Sequence, residues 1–204
     1  AHTSPQVRYW AHIALGAAHD ERAISAQLSG LADPVKMVRE AARWGLRQTL
    51  LDDKGWDHLY EAFAQGDDLT RQEIAATLVM RADATMTRSN ANFPKLNALF
   101  ERMMLQDPHP AVRAWSARAA WNWWVWNPPV REKLNATFLA ALERPEPNAL
   151  TETALRYQTE ALFIANGQKA NPSKEHQYPE LTRLFDAISK RVDSGNPLLI
   201  RRLV

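Results

Sequence analysis

The sequence predicts an all-α protein, a right-handed α-solenoid of about five antiparallel helical hairpins. Two observations support this fold class: a helical segment of one pattern returns five times, and a second amphipathic helix can be placed beside each of these segments. Such an array buries one continuous core through contacts between neighbouring repeats. Residues 1–204 are therefore expected to form a single domain.

Each recurring segment opens with an arginine that follows an apolar or small residue. The five pairs are Val7-Arg8, Val38-Arg39, Thr70-Arg71, Val112-Arg113 and Leu155-Arg156. Apolar or small residues also stand three, six and seven positions after the arginine, which is one face of a helix with a 3.6-residue period. Small residues on this face, such as Ala42 and Gly45, allow a neighbouring helix to approach closely.

The other helices are predicted between these segments, at about residues 21–31, 56–64, 94–105, 130–142 and 178–192. Residues 82–93 and 166–177 are predicted loops because they are rich in Thr, Asn, Ser, Gly or Pro. Ser4-Pro5, Asp33-Pro34 and Asp107-Pro108 precede three arginine helices, where the first residue can cap the helix and the proline can occupy its first turn. We expect ten or eleven helices and no sheet.

The spacing and the motif together resemble the HEAT-repeat family. Successive arginines are 31, 32, 42 and 43 residues apart. The repeat length in HEAT or armadillo arrays is roughly 40 to 47 residues. The motif of Asp-Pro followed by Val-Arg and small residues is clearest at residues 107–117 and 4–16, weaker at 33–46, and lacks proline and valine at 70–78. The shorter units are similar to compact HEAT-like repeats of bacterial proteins. The resemblance implies a solenoid and a binding role.

The ends of the chain predict a fragment of a larger protein or a chain trimmed by processing. Residue 1 is alanine, the first arginine helix corresponds to the second half of a hairpin, and residues 196–204 open a pattern that stops midway. No apolar run approaches the roughly 20 residues that cross a bilayer. We expect a soluble chain without membrane insertion, and the sequence indicates no compartment.

Residue types that carry enzymatic chemistry are sparse. The chain has no cysteine, its six histidines show no paired metal-ligand spacing, and its seven glycines form no phosphate loop. Asp52-Asp53 and Asp67-Asp68 stand at helix starts, where carboxylates cap amide groups. We therefore expect no catalytic residue, no metal and no cofactor.

A candidate binding surface follows from the helical projection. Positions one, four, five and eight residues after each arginine point farthest from the hairpin core, and in HEAT-like solenoids the second helices line the concave surface. Tryptophan, tyrosine and arginine dominate binding hot spots. The predicted partner-binding residues are Tyr9, Arg43, Trp44, Arg47, Arg118, Trp121 and Tyr157. Two alternatives stay open: Trp44 and Trp121 are covered by loops or a further domain, and Trp10 and Trp115 pack between repeats.

Three functions fit these observations. The leading hypothesis is a non-catalytic interaction module that binds a protein segment or a neighbouring domain of the same polypeptide. The second is a nucleic-acid-binding solenoid resembling the HEAT-like alkylpurine DNA glycosylases, with Glu40 or Glu160 as its carboxylate, although the net charge of only +2 argues against nucleic acid. A helper or lyase-like domain of a bacterial multidomain protein is the third. The repeated arginines are expected to pair with Asp33, Asp68 and Asp107 instead of phosphate.

The hairpin register makes a testable prediction about stability. Replacing Leu46 by alanine should lower the free energy of unfolding by about 2 to 5 kcal/mol, as truncations in packed cores do. Urea denaturation measures this difference, and a change below about 0.5 kcal/mol, typical of surface positions, would contradict the register. The residues expected to be almost wholly buried are Ala14, Leu15, Ala42, Leu46, Leu78, Ala119, Ala120 and Phe163.

Overall fold

The computed structural model describes residues 2–49, 53–79, 93–126 and 131–142. Within these ranges the protein contains eight α-helices, a 3-10 turn and a π-helical turn, and no strand. The prediction of an all-α protein is confirmed. The predicted helices at 155–163 and 178–192, the loop at 166–177, most of the loop at 82–93, and Phe163 lie outside the described residues.

The helices alternate in the order that the sequence predicts. The arginine helices are α1 (Pro5–Ala17), α3 (Lys36–Thr49), α5 (Asp68–Val79) and α7 (Pro110–Trp126). Between them lie α2 (Ile24–Gly30), α4 (Asp53–Gln65) and α6 (Phe93–Glu101), and α8 (Arg131–Leu142) follows α7. The 3-10 turn Glu21–Ala23 leads into α2, and the π-helical turn Arg102–Gln106 continues α6.

The helix starts match the predicted signals in part. Ser4 is the N-cap of α1 and Pro5 opens the helix, but the Ser4 hydroxyl makes no capping bond. Asp67 caps α5, because its carboxylate accepts the backbone N–H of Thr70 at 2.8 Å.

The prediction that Asp33 and Asp107 place a proline in the first turn is wrong. Each carboxylate accepts the backbone N–H two residues ahead, that of Val35 or His109, at 2.9 Å. This turn holds the proline before the helix, which begins three residues after the aspartate in both cases. The aspartate therefore shapes the entry to the helix.

The chain forms two compact units, Ala1–Leu99 and Phe100–Val204. In the first unit α1, α3 and α5 pack side by side, with α3 between the other two. Helices α2 and α4 also pack against each other, and they contact α3 and α5, respectively. The arginine helices and the intervening helices of this unit thus form two layers with the core between them.

The core of the first unit lies on the predicted faces. Ala42 and Leu46 of α3 and Leu78 of α5 are fully buried, as predicted. Apolar side chains of the other layer, among them Ile24, Leu59 and Phe63, are almost wholly buried as well.

The prediction of buried side chains is wrong for α1, although its sequence has the same pattern. Ala14 is exposed and Leu15 is only half-buried. The hairpin register assumed that every arginine helix has a partner across the layer, and in the described part of the chain no helix lies on this side of α1 as α2 lies on α3.

Glycines set the distance between three helices of the first unit. A Cβ atom added at Gly16 of α1 would lie 2.5 Å from the Cα of Gly45 and 2.8 Å from the Trp44 ring. The side chain of Gln27, which is fully buried in α2, occupies the space beside Gly45. Gln27 donates to the backbone carbonyl of His12 at 2.9 Å, and its Oε1 accepts the Nδ1–H of His12 at 2.9 Å. The buried amide is therefore satisfied on both sides.

The second unit is held together by aromatic and sulfur-containing side chains. Phe100, Met103 and Met104 of α6 and the π-helical turn are buried, and Phe100 lies 6.4 Å from the ring of Trp123 on α7. Ala119 and Ala120 are fully buried, as predicted. Phe138 of α8 completes this core.

The contact between α1 and α3 yields a prediction with a definite sign. In an unobstructed helix Gly to Ala stabilises by about 1 kcal/mol. Gly16→Ala should instead destabilise the protein by about 1 to 3 kcal/mol, because the methyl group would press on the backbone of Gly45. Urea denaturation measures the difference, with Ala17→Gly at the adjacent exposed position as a control for helix propensity. A more stable Gly16→Ala variant would contradict the close approach.

Candidate functional site

The repeated arginines are tied into the backbone that enters their helices. The Nη1 groups of Arg8, Arg39 and Arg113 reach back to the carbonyl oxygens five and six residues before them, at 2.8 to 3.2 Å. The pairs of carbonyls are His2 and Thr3 for Arg8, Asp33 and Pro34 for Arg39, and Asp107 and Pro108 for Arg113. Arg71 holds the carbonyl of Gly66 in the same way, at 2.8 Å. These guanidinium groups thus close the turn ahead of the helix.

Three of these arginines also bind a carboxylate with the rest of the guanidinium group. Arg8 holds Asp33 through two bonds of 2.6 and 3.0 Å, which confirms the predicted pair. Arg71 binds Asp68 of its own helix at 2.6 Å, in agreement with the predicted set of aspartates, whereas Arg39 binds Glu73, a carboxylate outside that set, at 2.9 Å. Asp33 and Glu73 both belong to the helix pair that follows their arginine. The arginine therefore joins one repeat to the next.

Glu73 is the most enclosed of these carboxylates, with 6 % of its surface exposed. It lies between Arg39 and Arg43, whose Nε atoms are 2.9 and 3.2 Å from its two oxygen atoms. The contact to Arg43 is an ion pair whose geometry is poor for a hydrogen bond. Arg43 was predicted to bind a partner, but its charge is already compensated within the fold. The helical projection missed the ion pair of Arg43 because it considered only the hairpin that contains α3. The contact between α3 and α5, which brings Glu73 to Arg43, was left out.

Trp44 and Arg47 remain partly exposed on α3. The Trp44 ring packs against Gly16 of α1, and the Nε group of Arg47 donates to the carbonyl of Arg43 at 3.3 Å. Tyr9 is also half-buried, on α1, and its ring meets Trp10 edge-on at 5.2 Å. We call Trp44 and Arg47 the α3 surface pair.

Arg118 and Trp121 lie on α7 in the second unit and have different environments. Arg118 is half-buried, and its guanidinium carbon is 5.4 Å from the centre of the Trp115 ring, a cation–π distance. Trp121 is only 4 % exposed and its ring is 6.0 Å from Phe138 of α8. The prediction that Trp121 lines an open groove is therefore wrong, because α8 covers the side of α7 that points away from its own hairpin.

The remaining tryptophans also divide between correct and incorrect predictions. Trp123 follows Ala119 and Ala120 by one helical turn on the face predicted to be inside, and it is buried. Trp10, predicted to pack between repeats, is 64 % exposed. Tyr157 lies outside the described residues, so its place on a concave face stays a prediction.

Sequence reasoning missed the structural role of Gln27 and His12. His12 stands four residues after Arg8, one of the positions that the projection places farthest from the core, yet it bonds Gln27 between α1 and α2. The available signal was a polar residue, Gln27, between the apolar Ile24 of α2 and the apolar Leu31 that follows this helix. Within the described ranges no group of three His, Asp or Glu side chains could hold a metal ion, and no helix there is both long enough and apolar enough to cross a membrane.

Comparison with protein-family models, with curated proteins and with solved structures gives no match to this chain.

The Arg8–Asp33 pair predicts a specific dependence of stability on pH. The hydrogen bonds from Arg8, with a further one from the Val35 amide, lower the pKa of Asp33. A carboxylate with a lowered folded-state pKa stabilises the fold above its unfolded pKa of about 3.9 and loses that effect as the pH falls through its folded pKa. The urea concentration at the unfolding midpoint should therefore decrease when the pH is lowered below about 4. This decrease should be smaller in Asp33→Asn, which lacks the titrating carboxylate.

Asp20→Asn provides the matched control. Arg22 also lowers the pKa of Asp20, but the Arg22 side chain is 89 % exposed, so solvent screens that pair. Unfolding followed by tryptophan fluorescence at several pH values from 7 to 3 compares the variants. If Asp33→Asn and Asp20→Asn alter the dependence of the urea midpoint on pH equally, the special role of Asp33 is contradicted.

Proposed function

We propose that this chain is a HEAT-like α-solenoid that acts without catalysis, as an interaction module. Its α3 surface pair, Trp44 and Arg47, would bind a segment of another protein or a neighbouring domain. The right-handed array of about five hairpins belongs to this proposal.

The packing of the first unit supports the solenoid. Like helices lie beside like helices, since α3 separates α1 from α5 and α2 contacts α4. Each repeat of a solenoid contacts only its neighbours. The bonds of Arg8 and Arg39 follow the same pattern. Each arginine bonds the turn that enters its own helix and a carboxylate of the next repeat, so neighbouring repeats are linked in the same way.

The observation that carries the binding role is the partial exposure of a tryptophan beside an arginine on one rigid helix. Of the six tryptophans with described side chains, Trp56, Trp121 and Trp123 are buried, whereas Trp44 keeps part of its surface open to solvent, as Arg47 does. Tryptophan and arginine contribute disproportionately to interface energies because they combine large contact area with a polar group. Since α3 is packed on both flanks, the pair is held in place before any partner arrives, which limits the entropy lost on binding.

The duplex-binding alternative has a weaker basis. Glu40 is exposed on α3 and lies 3.8 Å from both Lys36 and Arg43. Arg8, Arg39 and Arg43 are engaged by carboxylates, so they are poor candidates for phosphate contacts. Glu160 lies outside the described residues.

A selection experiment tests the proposed role of the α3 surface pair. Peptides selected from a displayed library on the full chain should bind less tightly to Arg47→Glu by about tenfold or more, as expected for a hot-spot residue. Lys36→Glu is the matched control, because it makes the same charge reversal at an exposed site of the same helix. Fluorescence anisotropy measures the affinities, and thermal melts check that both variants fold.

Two results would contradict the proposal. The first is that no selected peptide distinguishes Arg47→Glu from Lys36→Glu. The second is tight binding of a 20-base-pair DNA duplex whose affinity falls steeply with salt, which is the signature of phosphate contacts.

A further inference from the structure

The start of α7 is held by hydrogen bonds from both sides. The N–H of Asp107 donates to the carbonyl of Arg102 at 3.1 Å and closes the π-helical turn. The Asp107 carboxylate accepts the N–H of His109 at 2.9 Å. Arg113, in the first turn of α7, donates back to the carbonyl of Asp107 at 2.8 Å. These bonds join the π-helical turn to α7, and we call residues 107–109 the α7 entry.

The ring of His109 adds a further bond to this entry. His109 is half-buried and stands immediately before α7, and its carbonyl accepts the N–H of Arg113 at 3.3 Å. Its ring Nδ1 accepts the N–H of Ala111 at 3.3 Å. A side chain that accepts the second amide of a helix from this position is an N-cap, a role that Ser, Thr, Asp and Asn usually perform. The imidazole thus satisfies an amide that the helix itself leaves unpaired.

The other described arginine helices have a different residue at this position, four before the arginine. The residues are Ser4 for α1, Val35 for α3 and Asp67 for α5. Asp67 caps α5 with its carboxylate, the hydroxyl of Ser4 makes no capping bond, and Val35 has no polar side-chain atom. Among the described arginine helices, only α7 is therefore capped by a group of the kind that changes its charge near neutral pH.

The bond from Ala111 to the His109 ring exists only while the ring is neutral. An imidazolium carries a proton on both nitrogens and accepts no hydrogen bond, so protonation would set two N–H groups against each other. The added positive charge would also lie at the positive end of the α7 dipole. Both effects remove the cap. Histidine is the side chain that ordinarily gains its proton between pH 8 and 5, whereas amide and guanidinium groups do not change there.

The charges around the α7 entry give the protonated ring no net compensation. Asp107 and Arg113 lie in the entry region with opposite charges, and Arg102 of the π-helical turn adds a positive one. The described elements that pack against α7 are this turn and α8. The charged residues of α8 are all in its first turn: Arg131, Glu132 and Lys133. That turn follows the far end of α7, about 25 Å along the helix from the entry.

We propose that His109 is a pH-sensitive cap of α7. The neutral ring holds the first turn of the helix in place, and protonation in mildly acidic conditions releases this turn. Arg113 leaves with it, so its buried guanidinium group loses the carbonyls of Asp107 and Pro108 and the entry opens as a unit. This device lies in the second unit of the chain and does not depend on the α3 surface pair.

Hydrogen–deuterium exchange of the full chain tests the cap between about pH 7.5 and pH 5.5, the range in which histidine changes charge. Rates are corrected for the intrinsic effect of pH on amide exchange. The amides of Ala111, Val112 and Arg113 report on the first turn of α7. Their protection in the wild-type chain should fall by about 2- to 30-fold at the lower pH, as expected for the loss of an N-cap.

Two variants at the same position bracket the wild type. Asparagine is a strong N-cap whose oxygen does not titrate, so His109→Asn should keep its protection across the pH range. His109→Ala has no cap at any pH and should resemble the acidic wild type throughout. His58→Asn is the control, because it removes an exposed histidine of α4 and should leave the response of α7 unchanged. The first turn of α3, which follows Val35, is the internal control.

Three results would overturn the proposal. The first is the same loss of protection in His109→Asn as in the wild type, a comparison that holds even if His109→Ala does not fold. The second is full wild-type protection in His109→Ala at about pH 7.5, because the ring would then not be a cap. The third is an equal loss of protection in the first turn of α3, which would assign the effect to the whole fold.

Discussion

The two-sided use of one arginine underlies the rest of the structure. A guanidinium group has five N–H donors in a fixed plane, and Arg8 and Arg39 divide them between the turn that enters their own helix and a carboxylate of the next repeat. The first set of bonds fixes where the helix begins, and the second fixes its distance from the following helix. A single residue thereby links local and long-range structure. Lysine could not replace it, because one ammonium group cannot form this planar set of bonds.

Close packing between the helices depends on this fixed spacing. Gly16 and Gly45 bring α1 and α3 together at a point where neither can carry a side chain, and Trp44 covers the crossing. The aromatic ring thus has a structural role as well as an exposed edge. Its partner in the proposed surface, Arg47, lies one turn farther along the same packed helix. Rigidity at the proposed surface is therefore a direct result of helix packing.

The sequence predicted the helices well and the surfaces poorly. Residues such as Leu46 and Leu78 were identified because the helical period alone places them inside a hairpin. Ala14 was misassigned because the hairpin partner assumed for α1 is not among the described helices, and Trp121 because its burial depends on whether a helix from another repeat lies beside it. The role of Arg43 was missed for the same reason, since Glu73 is distant in sequence and the apolar pattern carries no signal for it. Contacts within a hairpin are thus encoded locally, whereas contacts between repeats are not.

The buried amide of Gln27 has a consequence for how this protein can evolve. Both of its polar ends are bonded to the single residue His12, so sliding α2 along α1 would leave a donor and an acceptor unpaired, at a cost of about 1 to 3 kcal/mol each. The amide also fills the space that Gly45 leaves open. Aliphatic positions in this layer can exchange with one another, but residues 12, 27 and 45 can change only together. In related sequences these three positions are expected to vary as one set.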